Sequence, residues 1–418
     1  MKNIKKYICV LVGLLTLLTS CESWFDVDPR TEIKEKDLFK NENGFFDALV
    51  GVYSIMARPA LYGDELTMGA PEAIVQNYYI GYNSAHPLYY LTTFDYTHTR
   101  VRPTISAFWT NLYEAVVNVN NLLENLEKAD KKMFSDNNYE LIKGEALALR
   151  AYLHFDVLRL FGPSFKMDKT RKCIPYVTTV SKKNTPYSSP EEVVTLCIKD
   201  LEEAASLLVD DPIVKKDVSE DNIYRMNRTT RMNLYAVQAE MARIYHYAGD
   251  KTNALKYALM LVESKELALI TDMQGVRKDR VISDELLFAL FVDNLSSWAD
   301  DHFDHSSMSY DYLQMTFYLD EFFDKNAGLG NDIRYDSQFD IVDGNGKLSK
   351  YLSKTGDNYY AKYRVPMLRL SEMYYIAAES TTDIDKASDW LNQVRQARAL
   401  EQKPFADFAA IETYLTAE

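Results

Sequence analysis

Residues 144–161, GEALALRAYLHFDVLRLF, predict a helix with two apolar faces. One row of side chains at helical spacing is Leu147, Ala151, His154, Leu158 and Phe161. A second row on the same segment is Ala146, Leu149, Leu153, Val157 and Leu160. Because other elements must cover both apolar rows, we expect this segment to be the inner helix of a stacked array.

The segments on either side also have helical patterns. Upstream, apolar residues recur every three or four positions, at Leu112, Val116, Val119, Leu123 and Leu126. Downstream, Ser189-Pro190-Glu191-Glu192 predicts a helix start, since serine caps, proline suits the first helical position and Glu192 completes a capping box. Helical spacing continues over 229–248, so the sequence predicts a helical frame.

A repeated helix–turn–helix unit is indicated by Tyr247-Ala248-Gly249-Asp250 and the helical pattern that follows it. This segment resembles a tetratricopeptide turn. A similar pair recurs near the C-terminus, where Leu370, Met373 and Ala377 precede Ile384, Ala387, Leu391 and Val394. The sequence predicts about four divergent tetratricopeptide-like helix pairs, recognised by pattern rather than by identity.

Two long segments, about 57–101 and 269–364, lack helical periodicity and form loop-rich insertions in this frame. The second contains a strand-like run over 285–290 and a turn at 343–346. Loops of this length in a compact domain are usually functional. Their aromatic residues include Tyr78, Tyr79, Tyr82, Trp298 and Tyr310. An aromatic ring can stack on the apolar C–H face of a pyranose, although loop packing is the alternative for each ring.

The N-terminus has the pattern of an export signal. Lys2, Lys5 and Lys6 precede an apolar run over 7–18 that is too short to span a bilayer. It leads to Leu18-Thr19-Ser20-Cys21, which resembles a lipobox. We expect residues 1–20 to be a signal peptide, Cys21 to be lipidated, 21–36 to be a tether and 37–418 to be one helical domain. An ordinary secretory signal is the alternative.

The net charge limits which partners the chain can bind, and the cysteine content limits which disulfides it can form. The chain has 418 residues and a net charge of −14, with 61 acidic against 47 basic residues, and should repel nucleic-acid phosphates. Beyond Cys21, only Cys173 and Cys197 could pair. Cys197 falls on the apolar face of a predicted helix, which favours two buried thiols, while a disulfide stays open.

Several sequence blocks, in a fixed order, carry a resemblance to a known family. They are Trp109-x-x-Leu112-Tyr113, Glu145-Ala146-x-x-Leu149-Arg150-Ala151-Tyr152, Ile174-Pro175, Ser189-Pro190-Glu191-Glu192, Ala239-x-x-Ala242-Arg243, Tyr363-Arg364-Val365-Pro366 and Leu391-Asn392-x-Val394-Arg395. Behind a lipobox, this order resembles the SusD/RagB family. These are surface lipoproteins of Bacteroidetes that act beside a TonB-dependent outer-membrane transporter in nutrient uptake.

The resemblance implies an all-α frame whose inserted loops hold an oligosaccharide on an arc of aromatic rings. By region, the ligand-binding residues here are Trp298, Tyr78, Tyr79, Tyr82 and Tyr310. It also implies a lipid-anchored protein of the outer membrane, facing outside, that delivers captured ligand to the transporter. Family members continue past the block at Leu391 to Arg395 with a further helical segment, so we expect the natural chain to extend beyond Glu418.

Two other functions remain open at the sequence level. One is a helical-repeat adaptor that binds a protein and no small ligand; the other is a glycoside hydrolase. A hydrolase needs only two facing carboxylates, and many acidic residues supply such pairs by chance. The known catalytic metal, phosphate, dinucleotide and nucleophile motifs do not occur. We therefore expect a binding protein without catalytic residues or cofactors. Residues 300–305, DDHFDH, should form a solvated segment rather than a metal site. His154 should belong to the core.

Overall fold

The computed structural model describes residues 35–80, 85–215, 224–303, 313–315, 323, 332–342, 345–354, 356–358 and 361–417. The predicted signal peptide, Cys21, Tyr82 and Tyr310 lie outside these residues. The chain divides into two compact units, one ending at Lys40 and one beginning at Asn41. In the first unit, the described residues form helix α1 (Glu35–Leu38) and an ion pair between Lys40 and Asp37.

The second unit is mostly helical, which confirms the all-α prediction. Its described α-helices are α2 (Glu42–Met56), α3 (Ala70–Ile74), α4 (Tyr89–Thr92), α5 (Arg102–Lys128), α6 (Asn138–Phe161), α7 (Pro190–Leu207), α8 (Pro212–Lys215), α9 (Leu234–Tyr247), α10 (Lys251–Val262), α11 (Met273–Val276), α12 (Leu295–Phe303), α13 (Ile333–Gln338), α14 (Leu370–Ser380), α15 (Ile384–Ala397) and α16 (Phe408–Ala417). A π-helical turn spans Glu65–Gly69. Within the described parts of the chain, no helix is both long and apolar enough to cross a membrane.

The strands are short. They are β1 (Tyr78–Tyr79), β2 (Ile174–Pro175), β3 (Tyr187–Ser188), β4 (Leu286–Phe291), β5 (Gln314–Met315), β6 (Phe339–Val342), β7 (Asn345–Leu348) and β8 (Arg364–Arg369). They pair antiparallel as β1 with β5, β2 with β3, β4 with β8 and β6 with β7.

Helix α6 is the inner helix of the frame, as its two apolar rows predict. It packs against α5 on one side and α7 on the other. Leu149, Leu153 and Leu158 are fully buried. Leu160 is an exception, because its side chain is 38% exposed and borders a surface cavity.

Side-chain caps fix where two helices of the frame begin. In α7 the Glu192 amide donates to Ser189 Oγ at 3.4 Å, and the Ser189 amide donates to Glu192 Oε2 at 2.8 Å, which confirms the capping box. Helix α9 starts at Leu234, later than the predicted span of 229–248. Asn233 caps it by accepting from the Ala236 amide at 3.0 Å, so residues 229–233 lie outside the helix.

Helix pairs continue toward the C-terminus. Helix α9 packs against α10, α10 against α14 and α14 against α15. Between α9 and α10, Gly249 has φ +75°, a left-handed conformation that glycine adopts without strain. The predicted tetratricopeptide-like turn at 247–250 thus joins two packed helices.

The second insertion contains a sheet that the sequence shows only in part. The predicted strand is β4, and it pairs with β8 so that Leu290 lies opposite Val365. Strands β6 and β7 pair Val342 with Asn345. Of the predicted turn at 343–346, residues 345 and 346 belong to β7, and residues 343 and 344 lie outside the described residues.

The remaining cysteines are free thiols. Cys197 is buried, as predicted, and its thiol lies 3.5 Å from the Ala151 carbonyl oxygen. Cys173 is only partly buried, and its thiol donates to the Ser188 carbonyl oxygen at 3.5 Å. The prediction of two buried thiols therefore holds for Cys197 alone.

His154 is a core histidine, as its place on an apolar row of α6 predicts. It is fully buried, and Nε2 accepts a hydrogen bond from the Val177 amide at 2.9 Å. Nδ1 lies 2.8 Å from the Arg150 carbonyl oxygen. Burial lowers the pKa of His154 to about 3, so this imidazole is neutral at physiological pH.

Candidate functional site

The two insertions contact each other directly. Strand β1 of the first insertion pairs with β5 of the second, with Tyr78 opposite Met315. The Tyr78 ring also lies 5.8 Å, centroid to centroid, from the Phe303 ring at the end of α12. This junction therefore brings together segments that lie 225 to 237 residues apart in sequence.

Three successive residues of the first insertion connect this junction to the helical frame. The Tyr62 hydroxyl donates to Asp156 Oδ2 of α6 at 2.5 Å. Asp64 accepts a hydrogen bond at 2.6 Å from His302 Nε2 of α12. The backbone of Gly63, between them, lies against the Trp298 indole. The segment thus fixes α12 relative to the inner helix.

Protonation strengthens the contact between Asp64 and His302. Burial opposes a charge on His302, but the hydrogen bond and charge of Asp64, with Glu65 and Asp301 nearby, outweigh it and raise the pKa of His302. Burial and the Asp64 charge raise the pKa of Glu65. The described residues contain no cluster of three or more His, Cys, Asp or Glu side chains arranged for a metal ion.

Trp298 borders an open cavity of about 590 Å³, within the range of small-ligand sites. Its indole is partly exposed. Phe291, at the end of β4, lines the same cavity with 52% of its surface exposed. The polar side chains in the lining are Ser54, Asn227, Thr230, Arg231, Asp293, Asn294 and Arg364. Partly exposed rings among amide, hydroxyl and guanidinium groups form a surface suited to a polyhydroxylated ligand.

A second cavity, of about 440 Å³, is lined by more charged groups. Its charged groups are already paired within the protein. Asp156 accepts from Tyr62 and from Arg159 Nε at 3.1 Å, while Arg243 donates twice to Glu372 at 2.7 Å. A ligand there would have to displace these partners. The Trp298 cavity is therefore the better candidate for ligand binding.

The residues predicted for ligand binding are placed differently from one another. Trp298 lines the cavity. Tyr78 is 4% exposed and packs against Phe303, so its ring does not present a face to solvent. Tyr79 belongs to β1 opposite Gln314. Tyr82 and Tyr310 are among the residues that the structure does not describe.

Sequence reasoning missed Arg231 and Phe291. Arg231 falls in the span predicted as helix over 229–248, but it precedes the Asn233 cap and lies in a connecting segment. The asparagine at position 233 is the signal that could have placed it outside the helix. Phe291 follows directly after the predicted strand over 285–290, and nothing in its pattern indicates exposure.

Comparison with known proteins connects this geometry to a family. Residues 47–246 match the model of a SusD-like family described as starch-binding and associating with the outer membrane. SusD-like protein P38 of Formosa agariphila is 25% identical over 290 residues, which are 68% of this chain and 50% of that protein. The chain thus spans about half the length of this relative.

Solved structures share the fold. A SusD superfamily protein from Bacteroides thetaiotaomicron superimposes with a TM-score of 0.70 at 19% identity, covering 90% of this chain and 86% of that one. Surface glycan-binding protein A from Bacteroides uniformis gives a TM-score of 0.66 at 16% identity, with 90% and 85% covered. The family-model match over residues 47–246, the sequence relative and the shared fold confirm the resemblance of this chain to SusD-like proteins.

Proposed function

We propose that this protein binds oligosaccharide in the Trp298 cavity and delivers it to a TonB-dependent outer-membrane transporter. The cavity is the observation that carries the proposal, because two partly exposed rings, Trp298 and Phe291, lie among side-chain amides and hydroxyls. A ring can stack on a pyranose while the polar groups bind its hydroxyls. The similar fold of a surface glycan-binding protein supports a saccharide ligand.

Tyr79, Tyr82 and Tyr310 remain proposed as further ligand-binding rings, because they belong to the same two insertions. For Tyr78, burial favours a packing role at the junction of the insertions.

The cavity favours binding over catalysis. Glycoside hydrolases place two carboxyl groups on opposite sides of the scissile bond, about 5 to 9.5 Å apart. Among the described residues that line this cavity, Asp293 supplies the single carboxylate. We therefore propose capture and transfer of ligand without bond cleavage.

Binding is tested by affinity electrophoresis and calorimetry of the purified protein against a panel of polysaccharides. Trp298→Ala should weaken binding at least tenfold, because truncating a central aromatic residue removes most of its contact area. Tyr187→Ala is the matched control, since Tyr187 is 55% exposed and lies outside both insertions; it should bind like the unaltered protein. Equal affinity of Trp298→Ala would place the ligand elsewhere. Binding of no saccharide at all would favour the adaptor function.

Anchoring and partnership are tested in cells. We propose that Cys21 carries the lipid and that the protein faces outward from the outer membrane, consistent with the matched family's association with that membrane. Cys21→Ala should release the protein from the membrane fraction and abolish surface labelling. Affinity capture from solubilised outer membranes should co-purify a TonB-dependent transporter, and repeated capture without one would contradict the delivery role.

A further inference from the structure

We infer that the Trp298 cavity binds saccharides that carry carboxylate or sulfate groups, and that Arg231 binds the anionic substituent. This inference rests on the proposed glycan-binding function. It extends that function by naming the chemical class of ligand and the residue that selects it.

The charge of the lining is opposite in sign to that of the whole chain. The chain has a net charge of −14. The described lining contains two guanidinium groups, Arg231 and Arg364, against one carboxylate, Asp293. By formal charge, two positive groups and one negative group, the described lining side chains sum to +1. A positive site on an acidic protein recruits anions locally and leaves the remaining surface repulsive to them.

Arg231 has no anionic partner in the part of the chain that the structure describes. Among the residues that the structure describes, its guanidinium forms no hydrogen bond and no ion pair. Other arginines near the frame are paired, as Arg228 is with Glu145 and Asp211. Arg398 likewise donates to Glu285 Oε2 at 2.5 Å. The Arg231 guanidinium is therefore available to a ligand.

The position of Arg231 is nevertheless fixed. Its carbonyl oxygen accepts from the Asn233 amide at 2.8 Å, and its amide donates to the Arg228 carbonyl oxygen at 3.0 Å. The guanidinium carbon lies 5.1 Å from the centroid of the Tyr53 ring, a favourable cation–π distance.

The Tyr53 ring beneath Arg231 is itself held at its hydroxyl. The hydroxyl donates to Glu145 Oε2 at 2.9 Å and accepts from the Met232 amide at 2.8 Å. A guanidinium stacked on an immobilised ring loses little side-chain entropy when it binds a ligand.

A guanidinium suits an anionic substituent better than a hydroxyl. Its planar donor groups match carboxylate and sulfate oxygens and form two parallel charge-assisted hydrogen bonds. A neutral sugar offers hydroxyls, which form weaker bonds to the same donors. With the sugar ring stacked on Trp298 or Phe291, a charged substituent directed toward Arg231 would gain those bonds.

The test compares ligands that differ only in charge. The probes are a sulfated galactan with its desulfated form, and polygalacturonate with its carboxyl-reduced form. Binding to the full-length protein is measured by calorimetry at low salt and at 0.5 M salt. We expect each charged probe to bind at least tenfold more tightly than its neutral form, and the preference to shrink at high salt because ions screen the attraction.

Substitutions of Arg231 test whether this residue binds the anionic substituent. Arg231→Gln should weaken binding of the charged probes about ten- to a hundredfold and leave the neutral probes nearly unchanged. Arg231→Lys keeps the charge but not the paired donor geometry, and should restore only part of the affinity. Arg102→Gln removes an exposed arginine outside the cavity lining and should have no effect. Melting temperatures report whether each variant is folded.

The outcomes separate this inference from the proposed function. If neutral probes bind as tightly as charged ones, and Trp298→Ala weakens the binding of both, the anionic preference is overturned and glycan binding stands. Charged probes that bind Arg231→Gln as tightly as the unaltered protein would overturn the role of Arg231. A protein that binds neither charged nor neutral saccharides would refute the proposed function as well.

Discussion

The indole of Trp298 lies against Gly63, where a β-carbon would come within 2.6 Å of Cζ3 of the ring. The same β-carbon would lie 2.3 Å from the Ala57 carbonyl oxygen. Contacts this short with backbone atoms cannot be relieved by side-chain rotation. Glycine at position 63 therefore allows the first insertion to support the ring that borders the cavity.

Gly63→Ala should displace Trp298 and weaken ligand binding. We expect it to lower the free energy of unfolding by about 1–3 kcal/mol, the usual cost of overpacking. Gly51→Ala is the matched control. Gly51 lies within α2, and a β-carbon there has no neighbouring atom within 4 Å, so alanine should stabilise the helix by about 0.5–1 kcal/mol. Thermal unfolding and saccharide titration measure both effects, and an unaltered affinity for Gly63→Ala would show that the ring does not need this contact.

A buried ion cluster holds the segment before α9 to the inner helix. Arg228 donates to Asp211 Oδ1 at 3.0 Å and Oδ2 at 2.7 Å, and it also pairs with Glu145. Their side chains are each 4% exposed or less. Arg228→Met would leave two buried carboxylates without a counter-charge, which should cost about 3–5 kcal/mol of stability.

Arg231→Met provides the comparison for that loss. Arg231 lies three residues later and makes no ion pair with the described residues, so its replacement should cost under about 1 kcal/mol, near the value for exposed charges. Urea denaturation measures both variants. Equal losses would show that the Arg228 cluster does not stabilise the fold.

The helical frame could be predicted because its signal is local and repeated. Residues spaced three and four apart on α5, such as Leu112, Val116 and Val119, are fully buried. This helix begins at Arg102, and Ile105 and Phe108 continue the apolar spacing of Leu112 toward its first turn. Side-chain caps, as at Ser189, gave more reliable boundaries than periodicity did.

The candidate site could be predicted only in part, since it depends on contacts between distant segments. Strands β1 and β5 have two residues each, too few for an alternating pattern. Strand β8 contains Pro366, which argues against a strand in a sequence, yet it pairs with β4 at Ala289. An arginine such as Arg231, which has no ion-pair partner among the described residues, carries no sequence signal at all.

Glu240 should make stability depend on pH. It is fully buried, and burial raises its pKa to about 7 against the opposing charge of Arg243. Its Oε1 has no hydrogen-bond partner among the described residues. Because the folded state disfavours the ionised carboxylate, this group lowers stability as pH rises from about 4.5 through 7.

Glu240→Gln removes that penalty. At pH 8 the variant should be more stable than the unaltered protein by an amount on the order of 3 kcal/mol, while at pH 4.5 the difference should be small. Glu263→Gln, at an exposed position, should show no such dependence. Urea unfolding at several pH values measures the gain, and a variant that is less stable at pH 8 would contradict a buried charge penalty.

The contact between His302 and Asp64 predicts the opposite dependence for the junction of the insertions. The pKa of His302 is raised above its ordinary value in the folded protein, so the folded state favours the proton. The resulting stabilisation is fully present below about pH 6.5, the pKa of an unperturbed histidine, and is lost as pH rises through the raised value.

Because His302 lies one turn after Trp298 on α12, weakening this contact should loosen the ring. Asp64→Asn should therefore lower the melting temperature and saccharide affinity most at pH 6, by about 1–2 kcal/mol in stability. At pH 9 it should differ less from the unaltered protein, and a deficit that is constant from pH 6 to 9 would show that the proton on His302 is not involved.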